Sequence, residues 1–133
     1  MLGELIGEEH GKRTARRVLE VNGEPKVEVC FEADGKILDL EEHSIVTYVS
    51  TVRPDGTLYG EGKGIVATRG GEIGSWVASG VGRLAEGGAV SYRGALYLYS
   101  SSPKLSRLNS VAAVFEFEAD ADGNTHSKWW EWK

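Results

Sequence analysis

The chain has 133 residues, 18 of them glycine and one of them cysteine, with 15 basic against 20 acidic side chains for a net charge of −5. That length suits one domain able to bury its own core; the lone Cys30 excludes an internal disulfide framework or a multi-cysteine metal centre, and the acidic balance argues against nucleic acid as a partner. No apolar run approaches the ~20 residues of a membrane span and Met1 leads into no signal pattern, so a cytoplasmic protein without a membrane partner is expected.

In chain order, residues 2–6 and 14–21 are the only segments with any helical spacing, and both read at least as well as strands. The basic run Lys12, Arg13, Arg16 and Arg17 lacks interleaved aromatics and reads as a solvated strand or an anion contact. Turn signals follow at Asn22-Gly23-Glu24-Pro25, Ala33-Asp34-Gly35-Lys36, Pro54-Asp55-Gly56, Gly70-Gly71, Gly87-Gly88, Ser100-Ser101-Ser102-Pro103 and Asp120-Ala121-Asp122-Gly123. Between them lie stretches rich in β-branched and aromatic residues, such as 44–53 and 111–118. Cys30, between Val29 and Phe31, reads as a small buried strand residue. The pattern is an antiparallel meander of roughly eight or nine strands, which suits a barrel or a sandwich; an up-and-down barrel of about eight strands is expected, because closure removes the edges. Residues 1–133 form one such domain, with no linker or repeat.

The central three strands allow faces to be assigned. If Gly70-Gly71 is a two-residue turn, Arg69 faces Glu72, and Trp76, Ala78 and Gly80 share a face with Ile65, Lys63 and Glu61. A three-residue loop at Glu86-Gly87-Gly88 adds Val90, Tyr92, Leu96 and Leu98 to the Trp76 face; a two-residue turn would reverse this. The first choice separates apolar from polar residues better. Glu61 and Lys63 then point into the barrel, where isolated charges persist only if paired or wetted. The alternative places both at a barrel mouth or on the solvent face. Outside, Val77, Val81, Tyr97 and Tyr99 form an apolar surface. Trp129 faces away from Trp130 and Trp132, so one side of the last strand should fill the barrel and the other should be covered. Trp129 is expected on the outer side. A homo-oligomer is the expected cover, with residues 1–11 as the other candidate.

Most catalytic motifs fail on context. Gly62-Lys63-Gly64-Ile65-Val66-Ala67 spells G-x-G-x-x-A, but strand residues follow where a dinucleotide site needs a helix N-terminus. As a phosphate loop it lacks the Ser or Thr that would hold magnesium. His10, His43 and His126 show no H-x-H or H-x-x-x-H spacing. Glu8, Glu9, Glu41 and Glu42 flank the first two histidines and read as surface acids, so no metal or other cofactor is expected, although a site assembled across strands stays open.

From about residue 46 onward the chain resembles a bacterial family of unknown function. The resemblance rests on Arg53-Pro54-Asp55-Gly56-Thr57, Thr68 with Gly70-Gly71, Gly74-Ser75-Trp76-Val77, Gly87-Gly88, Arg93-Gly94, and the spaced Leu105 and Leu108. Ser102, Pro103 and Ser110 depart from it, standing where that family favours glycine. The family is similar in fold to the allene oxide cyclase-like barrels, and the resemblance implies an eight-stranded barrel with a cavity, often oligomeric. It supplies no catalytic residue. Lipocalins and cupins fit less well, since no Trp precedes Trp76 and no H-x-H occurs. The expected function is binding of an apolar or aromatic small molecule inside the barrel, with Trp76, Tyr92 and Leu96 lining the site and Glu61 and Lys63 orienting the ligand. The rivals are a cyclase or isomerase with Glu61 as acid or base and Lys63 stabilising negative charge, and a purely structural homo-oligomer.

Overall fold

The computed structural model describes residues 1–133. Eight antiparallel strands follow one another around a closed barrel: β1 (Leu2–Glu20), β2 (Lys26–Ile37), β3 (Leu40–Val52), β4 (Leu58–Thr68), β5 (Ile73–Leu84), β6 (Val90–Tyr99), β7 (Ala112–Ala119) and β8 (Asn124–Trp132). Closure comes from β1 against β8, running from Leu2 opposite Trp132 to Lys12 opposite Asn124. Past Lys12, β1 pairs with β2 alone. Both segments with residual helical spacing are therefore strand.

Most glycine-rich signals mark the turns. Asp55 in the β3–β4 turn accepts from the Thr57 amide at 3.0 Å, and Gly56 supplies φ +88°. Asp120 accepts from the amides of Asp122 and Asn124, both at 2.9 Å, to shape the last turn. Ala33-Asp34-Gly35-Lys36 is a correction: it lies inside β2, and the chain reverses at Leu38-Asp39, both in the left-handed region at φ 47° and 66°. Gly35 serves packing instead. A Cβ there would collide with the Glu8 carbonyl of the neighbouring strand.

Leu105 and Leu108, each 1% exposed, close one end of the barrel from a 3-10 helical segment, Pro103–Ser110. They join Ile6, Ile37, Val66, Leu98 and Trp129 in one apolar cluster. Asn109 anchors the segment through two hydrogen bonds with the Ser100 backbone, at 2.8 and 2.9 Å. A second cluster, built on Phe31, Val46, Leu58, Tyr92 and Phe117, fills the other half. Trp76 and Phe115 pack against both.

The inward row of β4 is Leu58, Gly60, Gly62, Gly64, Val66, with the three glycines facing Gly80, Ala78 and Trp76 of β5. Trp76 lies across Gly64, and a Cβ there would meet its ring at 2.5 Å; at Gly60 it would meet Tyr92 at 2.8 Å. Interior width is fixed by the strand number, so large rings on one wall require bare backbone on the facing wall. Gly64→Ala should therefore cost about 1–3 kcal/mol, seen as a lower urea midpoint at unchanged m-value. Gly62→Ala, whose Cβ has 3.2 Å to its nearest neighbour, should cost less.

Candidate binding site in the barrel interior

Between the two apolar clusters lies a cavity of about 60 Å³. Its walls include Phe31, Val46, Tyr48, Trp76, Tyr92, Leu96, Phe115, Phe117 and Trp129, with Glu9, Ser79 and Ser127 as polar members. The aromatic rings hold one another in place: Phe31 stacks on Phe117 at 5.2 Å, and Tyr48 meets Phe117 edge-on at 5.5 Å. Ser50 Oγ lies 2.5 Å from the Tyr92 hydroxyl. Burial pushes the phenols of Tyr48 and Tyr92 up from their ordinary range.

Trp76, Tyr92 and Leu96 line this cavity as the strand faces of β5 and β6 predict. Glu61 and Lys63 do not. They pair with Ser79 and Val77 on the outer face, and both side chains are exposed. The cause is one residue of loop length. Thr68, not Arg69, faces Glu72, so Arg69-Gly70-Gly71 forms a three-residue loop closed by the Thr68 amide donating to the Glu72 carbonyl at 2.9 Å. A shift of one residue turns every side chain of β4 over. The acid–base roles assigned to Glu61 and Lys63 inside the barrel fall with that register. Trp129 moves the other way: it is 4% exposed in the core, its ring 6.2 Å from that of Trp76, while Trp132 is exposed. Cys30 is half-buried beside Thr47 rather than in the core.

The interior carboxylates are Glu9 and Glu42, 1% and 5% exposed. Gly35 of β2 sits between them, opposite Glu9 on one side and Glu42 on the other. The two buried carboxyl groups thus flank Gly35 from the neighbouring strands, near enough for Glu42 to act on Glu9. Ser44 Oγ, fully buried, donates to Glu42 at 2.7 Å. Burial, reinforced by Glu42, pushes the Glu9 carboxyl up to about 9. One oxygen of each carboxyl, and the Trp76 indole nitrogen, is buried without a hydrogen-bond partner. In the sequence Glu9 and Glu42 read as surface acids, because each lies between a glutamate and a histidine. The available signal was the alternation Gly7, Glu9, Gly11, which puts Glu9 on the glycine face of β1.

The outer face of the same strands carries all three histidines in one row. His43, Asp34, His10, His126 and Glu118 lie side by side across β3, β2, β1, β8 and β7. His43 is held by Asp34 and Glu32, both at 2.8 Å, and these contacts raise its pKa. The row lies outside the barrel wall, away from the cavity.

No protein-family model matches the chain, and neither does any curated protein. Solved structures do, over nearly the full length. A β-barrel-like protein from Acinetobacter baumannii AYE superposes with TM-score 0.84 at 13% identity, covering 100% of this chain and 96% of that one. A protein of unknown function from Clostridium acetobutylicum ATCC 824 gives 0.83 at 11% identity, covering 98% of each. An enzyme from Penicillium herquei gives 0.69 at 16% identity, covering 97% of this chain and 92% of that one. The fold is shared among them. At such identities the likeness carries no activity across.

The buried carboxyl leaves a mark on stability. Folded Glu9 keeps its proton at pH values where the unfolded chain has lost it, because its pKa is raised to about 9. Stability is thus fully present below the ordinary carboxylate range and falls as pH rises through about 9, by up to about 1.4 kcal/mol per pH unit. Urea titrations from pH 5.5 to 8.5 should show this slope, and Glu9→Gln should flatten it. A slope unchanged in Glu9→Gln would assign it elsewhere, with His43 the first alternative since its raised pKa acts in the same direction.

Proposed function

We propose that the barrel interior binds one small, largely apolar molecule bearing a single hydroxyl, its body against Trp76, Leu96 and Phe115 and its hydroxyl against Glu9. The supporting observation is an aromatic-walled cavity lined in part by Glu9, whose buried carboxyl has an oxygen with no partner. An unsatisfied buried acceptor costs about 1–3 kcal/mol, which a suitable ligand would recover. A hydroxyl both donates and accepts, so it meets a carboxyl group whichever oxygen carries the proton. The resemblance to allene oxide cyclase-like barrels points the same way.

Size bounds the ligand. Apolar cavities of about 150 Å³ take benzene, so a six-membered ring enters the space of about 60 Å³ only as a lining aromatic side chain swings aside. Phenol and cyclohexanol should give saturable shifts of the Trp76 and Trp129 indole resonances, with toluene weaker. Glu9→Leu should abolish the preference for the alcohols, and xenon under pressure should occupy the cavity in crystals. Absence of xenon from the interior together with no saturable shift from any of the three compounds would end this reading.

A separate outer surface supports association of two copies. Ile45 beside Ile65, and Val77 beside Tyr97, continue to Tyr99 across β3 to β6. These five side chains are each between 54% and 62% exposed, and Lys63 is the only charged residue among those lining the groove they form. Residues 2–11 belong to β1 and pair with β8, so they do not cover it. Two-fold pairing of identical chains is the commonest way for a soluble protein to cover such a face. Light scattering behind size exclusion should give a dimer at micromolar concentration and a monomer for the Val77→Ser, Tyr97→Ser double variant. A wild-type monomer would overturn the claim.

A further inference from the structure

We propose that Glu8, His10 and His126 form a binding site for one divalent transition-metal ion of the zinc, nickel and copper class, clasping the first strand of the barrel to the last. His10 and His126 are directly opposed on β1 and β8, their rings stacked 4.1 Å apart at 13°. Glu8 lies two residues before His10 on the same outer face, and its carboxylate is 2.7 Å from His126 Nε2. One ligand atom from each of the three falls within 4.8 Å of the others.

Metal–ligand bonds of about 2.0–2.2 Å put tetrahedral ligand atoms roughly 3.4 Å apart, so side-chain rotation of exposed His10 and half-buried Glu8 and His126 by about an ångström completes the site. The frame needs no adjustment, since the β1–β8 register runs without a bulge from Gly7 to Lys12. Two imidazoles and one carboxylate select borderline metals over magnesium or calcium, which prefer all-oxygen shells. Asp34 and Glu118 flank the histidines on the neighbouring strands and add favourable negative charge. Lys128, opposite Glu8, is the nearest competing cation for that carboxylate. Three protein ligands leave a fourth position open to solvent.

The site was invisible along the chain because His10 and His126 are 116 positions apart and meet only when the barrel closes. His43 supplies an internal control. It lies in the same row but is engaged by Asp34 and Glu32.

The test is calorimetric titration of the tag-free full chain with Zn²⁺ and Ni²⁺. Expected is one ion per chain at micromolar Kd, with no heat from Mg²⁺ or Ca²⁺. His10→Gln and His126→Gln should each weaken binding by at least about tenfold, or 1.4 kcal/mol, while His43→Gln leaves it unchanged. Zinc should raise the melting temperature of the wild type and not that of the His10→Gln, His126→Gln variant, both retaining the wild-type circular dichroism spectrum. Imidazole resonances of His10 and His126, and not of His43, should shift on zinc addition. No binding at 100-fold molar excess (roughly millimolar zinc) would refute the site. Full retention of binding in the double variant, or its loss in His43→Gln alone, would do the same.

Discussion

The interior of an eight-stranded closed barrel is only as wide as its strand number allows, and each inward side chain competes for that width. Trp76, Trp129, Phe115, Phe117 and Tyr92 claim most of it. Their rings fit because β4 offers Gly60, Gly62 and Gly64 on its inward row, so the high glycine content is a consequence of aromatic packing as much as of turn geometry. Bare backbone recurs at Gly35, where a Cβ would run into the Glu8 carbonyl, between the strands that carry the buried carboxyl groups of Glu9 and Glu42. One constraint thus shapes both the core and the cavity.

Those carboxyl groups run against the ordinary economy of a small core. Burying ionisable groups costs several kcal/mol unless they are hydrogen-bonded, and an apolar pair of similar volume would do better for stability alone. Ser44 satisfies part of Glu42, yet one oxygen of each carboxyl has no partner. Packing does not explain such a group beside a largely apolar cavity, and the proposal of a hydroxyl-bearing ligand rests on it.

Along β1 the pleat divides labour between adjacent residues. Glu9 faces the cavity, while Glu8 and His10 on either side face outward toward His126. Because alternate side chains point to opposite faces, three consecutive polar residues serve two unrelated surfaces separated by the sheet itself. Both surfaces depend on the β1–β8 ladder, which closes the barrel and positions Ser127 opposite Glu9 and His126 opposite His10.

The local chemistry of the chain was enough to settle fold class and most turns. β-branched and aromatic segments between Gly, Asn and Asp clusters have few options besides a meander, and eight strands in sequence have reason to close. The inward faces of β5 and β6 were legible once Glu86-Gly87-Gly88 was taken as a three-residue loop, since alternation there separates Trp76, Tyr92 and Leu96 from Tyr97 and Tyr99. β4 was not, because its inward residues are glycines: a strand without apolar inward side chains carries no hydrophobic parity, and a one-residue difference in the loop before β5 decides which face Glu61 and Lys63 occupy. Glu9 with Glu42, and His10 with His126, are pairings between strands, fixed by register and closure. Local alternation can assign a residue to a face, but only the closed sheet brings residues from the first and last strands into contact.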